Sequence, residues 1–240
     1  MPDTRPPPAA PSPTLIAIAG GCFLMGREDR RRDERPTHSV ELSPFRAAQS
    51  AVTNAEYARY LSASAADAPR FWRDAVLNAA GQPVVGVSWH EAMAYCAWLG
   101  ASSGTRYRLP TEAEREFAAL GGLSDVDWPW GSIEPEEFEP LHFVAMATAP
   151  HVPRAACANG YGLRCMAENV HEWCLDFYAR DAYAAAPSSD PRGPATGARR
   201  ASRGGSWRHK VKFTRVTARS SLVAEYRYND YGFRVYADAE

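Results

Sequence analysis

Apolar residues come in short blocks along this chain, and glycines or capping residues bound most of them. Leu15-Ile16-Ala17-Ile18 is followed by Gly20-Gly21 and then by Phe23-Leu24-Met25-Gly26, a pattern that predicts strand, turn and strand. Arg27 to Arg35 is dense in charges of both signs and predicts an exposed loop. Val40 to Phe45 alternates apolar and polar residues, the period of a half-buried strand. Three helices mark their own starts. Thr53 is followed three residues later by Glu56, Ser88 by Glu91, and Thr111 by Glu114. In each pair the hydroxyl accepts from a free backbone N–H while the carboxylate reaches back to the cap. The second helix then places Ala92, Tyr95, Cys96 and Leu99 on one face, and Pro110 stops the element before the third cap. Beyond Gly121 the periodicity dissolves, and Trp128-Pro129-Trp130-Gly131 reads as a tight aromatic turn.

Composition fits a fold rich in irregular backbone. The 240 residues are 45% hydrophobic, enough for a real core, and include 7 Trp, 11 Tyr, 19 Pro and 17 Gly. Residues 1–13 are mostly Pro, Ala and small polar residues and predict a disordered tail. With no internal repeat and no linker, residues 14–238 are expected to form one domain. The net charge of −1 argues against nucleic acid and anionic membranes as partners. No apolar run is long enough to cross a bilayer, and prolines interrupt any secretory leader. Cys22, Cys96, Cys157, Cys165 and Cys174 form no regular framework, so a reducing, cytoplasmic location is expected. Cys96 and Cys174 lie beside apolar residues and read as core thiols.

Candidate chemistry gathers near the C-terminus, between Arg203-Gly204-Gly205-Ser206-Trp207 and Tyr231-Gly232-Phe233-Arg234-Val235. Each residue there has two readings. His209 is a base or metal ligand, or an exposed side chain. Trp207, with Arg208 beside it, lines a pocket or seals the core. Arg215 and Arg219 bind an anionic ligand or brace loops by bonding carbonyls and carboxylates. Tyr226 and Tyr228 form an aromatic rim for a ligand or cover the core. His171 is expected to pack beside Trp173.

Taken in order, several blocks resemble the formylglycine-generating enzyme (sulfatase-modifying factor) family. They are Gly20-Gly21-Cys22-Phe23-Leu24-Met25-Gly26, Glu34-Arg35-Pro36-Thr37-His38, Val52-Thr53-Asn54-Ala55-Glu56-Tyr57, Pro83-Val84-Val85-Gly86-Val87-Ser88-Trp89, Tyr95-Cys96-Ala97-Trp98-Leu99, Arg108-Leu109-Pro110-Thr111-Glu112-Ala113-Glu114, Asn169-Val170-His171-Glu172-Trp173, and the two C-terminal signatures. The resemblance implies an α+β, elaborated C-type-lectin-like fold with low regular secondary structure, short antiparallel strands and a few flanking helices. It also implies an oxidase that converts a sulfatase cysteine to formylglycine with copper held by two cysteines. Here the stretch after Trp207 reads Arg208-His209-Lys210-Val211-Lys212-Phe213-Thr214-Arg215, without cysteine. No copper–thiolate site is therefore expected. A branch using iron held by three histidines is not matched by the histidine spacing either. The redox metal, iron or copper, stays open. The family's calcium site would take Glu172 as carboxylate, carbonyls of Glu168 and Val170, and a side-chain oxygen where Cys165 stands. A second calcium loop is shortened near His142. The expectation is an oxidoreductase-like enzyme without the catalytic cysteines, acting on an unknown substrate. The alternative is a non-catalytic module that binds a small molecule, peptide or protein.

Overall fold

The computed structural model describes residues 12–135, 147 and 149–239. The tail expected over residues 1–13 lies outside these apart from its last two positions, and so does the loop around His142. All three capping boxes form. They open α1 (Asn54–Ala63), α2 (Trp89–Ser103) and α3 (Glu112–Leu120). At α1, Glu56 N–H donates to Thr53 Oγ1 at 3.3 Å and Thr53 N–H donates to Glu56 Oε2 at 2.8 Å. Such a cap contributes about 1 kcal/mol. Glycines in the left-handed region, Gly104 and Gly121, end α2 and α3.

The strands are short: β1 (Leu15–Ile18), β2 (Gly21–Met25), β3 (His38–Leu42), β4 (Phe45–Ala48), β5 (Tyr107–Arg108), β6 (His171–Phe177), β7 (Arg200–Arg203), β8 (Ser220–Leu222), β9 (Tyr231–Gly232) and β10 (Tyr236–Asp238). They form a sheet β1-β4-β10-β5, a pair β2-β3, and a sheet β8-β7-β6-β9. Two features of the pairing go beyond the sequence pattern. The Gly20-Gly21 turn does not close a hairpin: β1 pairs with β4, and β2 pairs with β3. Gly20, at φ +72°, passes so close to the Leu42 carbonyl that a Cβ would clash with it, and the chain swings from one sheet into another there. Pairing is also not wholly antiparallel, because β6 and β9 run parallel.

Two apolar cores support these layers. One stacks Tyr57 on Tyr95, ring centroids 5.5 Å apart, with Leu99, Leu109, Trp173 and Phe233 around them. The face expected on α2, Ala92, Tyr95, Cys96 and Leu99, is its buried face. The other core joins Ile18, Val40, Phe45, Phe117, Leu163 and Tyr236. The Trp128–Gly131 turn closes through reciprocal backbone hydrogen bonds, with the indoles of Trp128 and Trp130 stacked.

Ionic pairs are buried among these layers, where a charge without a partner would be very costly. Arg203 donates to Glu112 and Glu116, Arg219 makes a two-point contact with Glu112, and Arg115 and Arg234 both grip Glu172. The charged run Arg27–Arg35 is not simply an exposed loop. Its Glu34 is fully buried and accepts from Arg215 at 2.8 Å and Thr217 at 2.6 Å.

Candidate metal centre

The parallel pairing of β6 with β9 sets the geometry of the candidate centre. It opposes His171 to Tyr231, and His171 N–H donates to the Asp230 carbonyl at 2.9 Å. The Gly204-Gly205 turn brings the chain after β7 back over this pair. Gly204 takes φ +77°, and at Gly205 a Cβ would run into Thr214 and the Ala167 carbonyl. Only glycine lets Ser206 and His209 approach. His209 N–H donates to the Ser206 carbonyl at 2.9 Å, and Ser206 Oγ donates to Asp230 Oδ2 at 3.1 Å.

His171, His209 and Asp230 thereby present two imidazoles and a carboxylate whose donor atoms all lie within 4.8 Å of one another. The two imidazole rings meet edge to face at 5.1 Å. His171 and Asp230 are buried, whereas His209 is exposed. Burial pushes the His171 imidazole down to about 4, with Asp230 opposing and His209 reinforcing the shift. At neutral pH it is uncharged and keeps a lone pair, the form in which imidazole binds a metal. Its buried Nδ1 has no hydrogen-bond partner. A chain of rings links this centre to the surface. Tyr226 meets Tyr228 at 6.0 Å, Tyr228 meets Tyr231 at 6.3 Å, and Tyr231 meets His171 at 4.8 Å.

The model of the sulfatase-modifying factor enzyme 1-like domain matches residues 2–239. The formylglycine-generating enzyme of Streptomyces coelicolor is 34% identical over 299 residues, covering 98% of this chain and 93% of that enzyme. This chain belongs to the formylglycine-generating-enzyme family. It is also 34% identical to the serine/threonine-protein kinase pkn1 of Chlamydia caviae, over 92% of this chain but only 37% of the kinase, so it spans little more than a third of that relative. Among solved structures, PvdO from Pseudomonas aeruginosa superimposes with a TM-score of 0.79 at 25% identity, over 95% of each chain. The expected α+β, lectin-like architecture is thus the fold of this family member.

The other candidate residues sit in varied surroundings. Glu172 is not available as a calcium ligand: Arg115 Nε donates to its Oε2 at 2.7 Å and Arg234 Nη2 to its Oε1 at 2.7 Å. The Val170 side chain is buried in an apolar cluster with Ala51, Leu77 and Val85, which leaves the carbonyl role expected of it untouched. The Glu168 carboxylate lies near a histidine and a cysteine. Arg215 and Arg219 are withdrawn from any ligand pocket, held by Glu34 and Glu112. Trp207 packs half-buried on the cluster around Val170, and its Nε1 donates to the Asn229 carbonyl at 3.3 Å. Arg208 is exposed above it, 5.9 Å from the ring centroid. Tyr226 and Tyr228 are 50% and 45% exposed and line a cleft of about 300 Å³ with Arg70, Glu225 and Arg227.

Sequence reasoning singled out His209 but missed its two neighbours. His171 was expected only to pack beside Trp173, yet its ring lies against Tyr231 and His209. Asp230 directly precedes the Tyr231-Gly232-Phe233 signature. His171 lies inside one of the blocks that carry the family resemblance and Asp230 borders another, the one signal that pointed to them.

Proposed function

We propose that this chain is an oxidoreductase-like member of its family that holds a redox metal at His171, His209 and Asp230 instead of at a cysteine pair. The observation that carries this reading is the convergence of those three donor groups within 4.8 Å. A copper–thiolate centre does not fit, since no cysteine follows Cys174 in the sequence. Two histidines and one carboxylate suit iron, and imidazoles also suit copper. Either metal, when bound, supplies one-electron chemistry with dioxygen.

The remaining work falls to the chain itself. Ser206 fixes the Asp230 carboxylate through its hydroxyl. β6 and Tyr231 fix the His171 ring, and second-contact groups of this kind hold a ligand's orientation. Exposure of His209 leaves one side open to a small molecule or peptide. The Tyr226–Tyr228 cleft offers that ligand aromatic faces and the Arg70 guanidinium, while Arg227 is held by Glu91 at 2.9 Å. A reducing compartment such as the cytoplasm fits five cysteines that form no regular framework along the sequence. Among the described residues no helix is long and apolar enough to cross a membrane.

The test is metal analysis of protein loaded anaerobically with Fe(II) or Cu(I), followed by oxygen uptake. Stoichiometric loading that is lost in His209→Ala and His171→Ala supports the reading. Loading indifferent to both substitutions rules these residues out as ligands. Absence of any redox metal favours the non-catalytic module, whose ligand would sit on the tyrosine cleft.

A further inference from the structure

A second cluster of donors lies on the other flank of Asn169 and serves no role in the proposed oxidation. A tight hairpin builds its base. Cys165 N–H donates to the Cys157 carbonyl at 3.2 Å, and Asn159 N–H donates to the Leu163 carbonyl at 2.9 Å, so the two cysteines stand side by side at the hairpin's open end. Cys165 holds φ +57°, a left-handed conformation uncommon for a side chain of this kind. Opposite the hairpin, the Asn169 amide clamps the backbone of His151 from both sides. Its Oδ1 accepts from His151 N–H at 2.9 Å, and its Nδ2 donates to the His151 carbonyl at 3.0 Å. Glu168 comes up between the two.

The donor atoms of His151, Cys165 and Glu168 all lie within 4.8 Å of one another. The clearest sign of a ligand is what two of these atoms lack, although Glu168 Oε2 accepts from Ala167 N–H at 3.4 Å. Glu168 is only 6% exposed, and its Oε1 has no hydrogen-bond partner. His151 Nε2 is equally without one, and the two atoms face each other at 3.9 Å, too far for a hydrogen bond. Buried polar atoms left in this state are rare, and an unseen ion is a standard reason.

The chemistry of the donors decides which ion. Calcium takes six to eight oxygens, and this cluster offers a nitrogen, a sulfur and one carboxylate, with Glu172 committed to arginines. Nitrogen, thiolate and carboxylate together are the ligand types of zinc and its neighbours in the transition series. We propose that His151, Cys165 and Glu168 form a binding site for a divalent transition cation of the zinc class, with Cys157 or water supplying the fourth donor. On binding, the Cys165 thiol loses its proton to solvent and the sulfur takes up the metal bond; no electron is transferred. Such a cation would tie the 151 loop to the segment 165–169. Because the Asn169 carbonyl accepts Trp207 N–H at 2.8 Å, it would also steady the turn that carries His209.

Cobalt titration of the reduced, chelator-stripped protein tests this. A thiolate-to-cobalt charge-transfer band should appear with one equivalent and be discharged by zinc. It should be lost in Cys165→Ser, which is nearly isosteric, and His151→Ala should weaken cobalt binding at least about tenfold. His209→Ala should leave the band intact, because the His171–His209–Asp230 centre contains no sulfur; failure of the oxidoreductase reading would therefore not touch this result. The proposal is overturned if native-like wild-type protein gives no band, or if the band survives in Cys165→Ser. It is overturned equally if calcium alone occupies the site, or if mass analysis finds Cys157 and Cys165 joined as a disulfide that binds no metal after reduction.

Discussion

Arg234 Nη2 donates to Glu172 Oε1 at 2.7 Å, with both side chains shut away from water. Burial alone would raise the Glu172 carboxyl. Arg115 and Arg234, one on each side, outweigh it and hold the group below its ordinary value. Arg234 also donates to the carbonyls of Ala48, Gln49 and Arg164. One guanidinium thus ties the end of β4, the hairpin that carries Cys165, and β6.

Arg234→Met should therefore destabilise the fold by about 3–5 kcal/mol, the usual result of removing one partner from a buried ion pair. Urea denaturation at pH 7 measures it. A loss near zero would show that water reaches this pair and that the carbonyls do not depend on it.

The same pairs explain how far the sequence could be read. The helices were legible because a capping box lies within four residues of chain and its geometry is local. The α2 face was legible for the same reason, since Tyr95, Cys96 and Leu99 share one period. Sheet partners were not legible: the Gly20-Gly21 signal marks the break between β1 and β2 and is silent about which strand the chain meets next. Glu34 looked solvated in its charged run, yet its partner Arg215 lies 181 positions away. His171 and Asp230 meet through a two-residue parallel pairing that no periodicity announces. Two of the three donors of the candidate centre were therefore hidden, although His209 was not.

Gly205→Ala probes the turn beneath His209. An added Cβ would collide with the Thr214 side chain and with the Ala167 carbonyl, and the second of these is backbone that cannot rotate away. Overpacking of this kind costs about 1–3 kcal/mol. The urea midpoint should fall accordingly, and any metal bound at His209 should be held more weakly. A fully stable variant would mean that the turn relaxes readily.

Asp176 gives the fold a pH dependence of definite sign. Its carboxyl accepts from Glu112 N–H at 2.9 Å, and burial, reinforced by the Glu112 charge, pushes it up to about 8. Unfolded, it titrates near 3.9. Between about pH 4 and 8 the folded protein holds a proton that the unfolded chain has released, so stability falls as pH rises through that range, by up to about 1.4 kcal/mol per pH unit. Asp176→Asn keeps an acceptor for the amide and carries no proton to lose. Denaturation curves of the two proteins from pH 5 to pH 8, about the range where the proton difference holds, should diverge, with the asparagine variant gaining as pH rises. Parallel curves would place the Asp176 carboxyl in an ordinary environment.

His209→Ala separates structure from ligand binding. The side chain is exposed, and its ring bears on His171 without closing a core, so the metal-free variant should match the wild type within about 0.5 kcal/mol. The wild type, by contrast, should gain about 2.7 kcal/mol from Fe(II) supplied at a hundred times its dissociation constant. Thermal denaturation with and without Fe(II), in a Cys165→Ser background that silences the thiolate cluster, should show this gain and its loss in the alanine variant. Asp230→Ala provides the contrast. It should lose the same metal-dependent gain and also lower metal-free stability, since Ser206 Oγ would forfeit its 3.1 Å acceptor. An alanine variant at 209 that still gains stability from Fe(II) would remove this histidine from the ligand set.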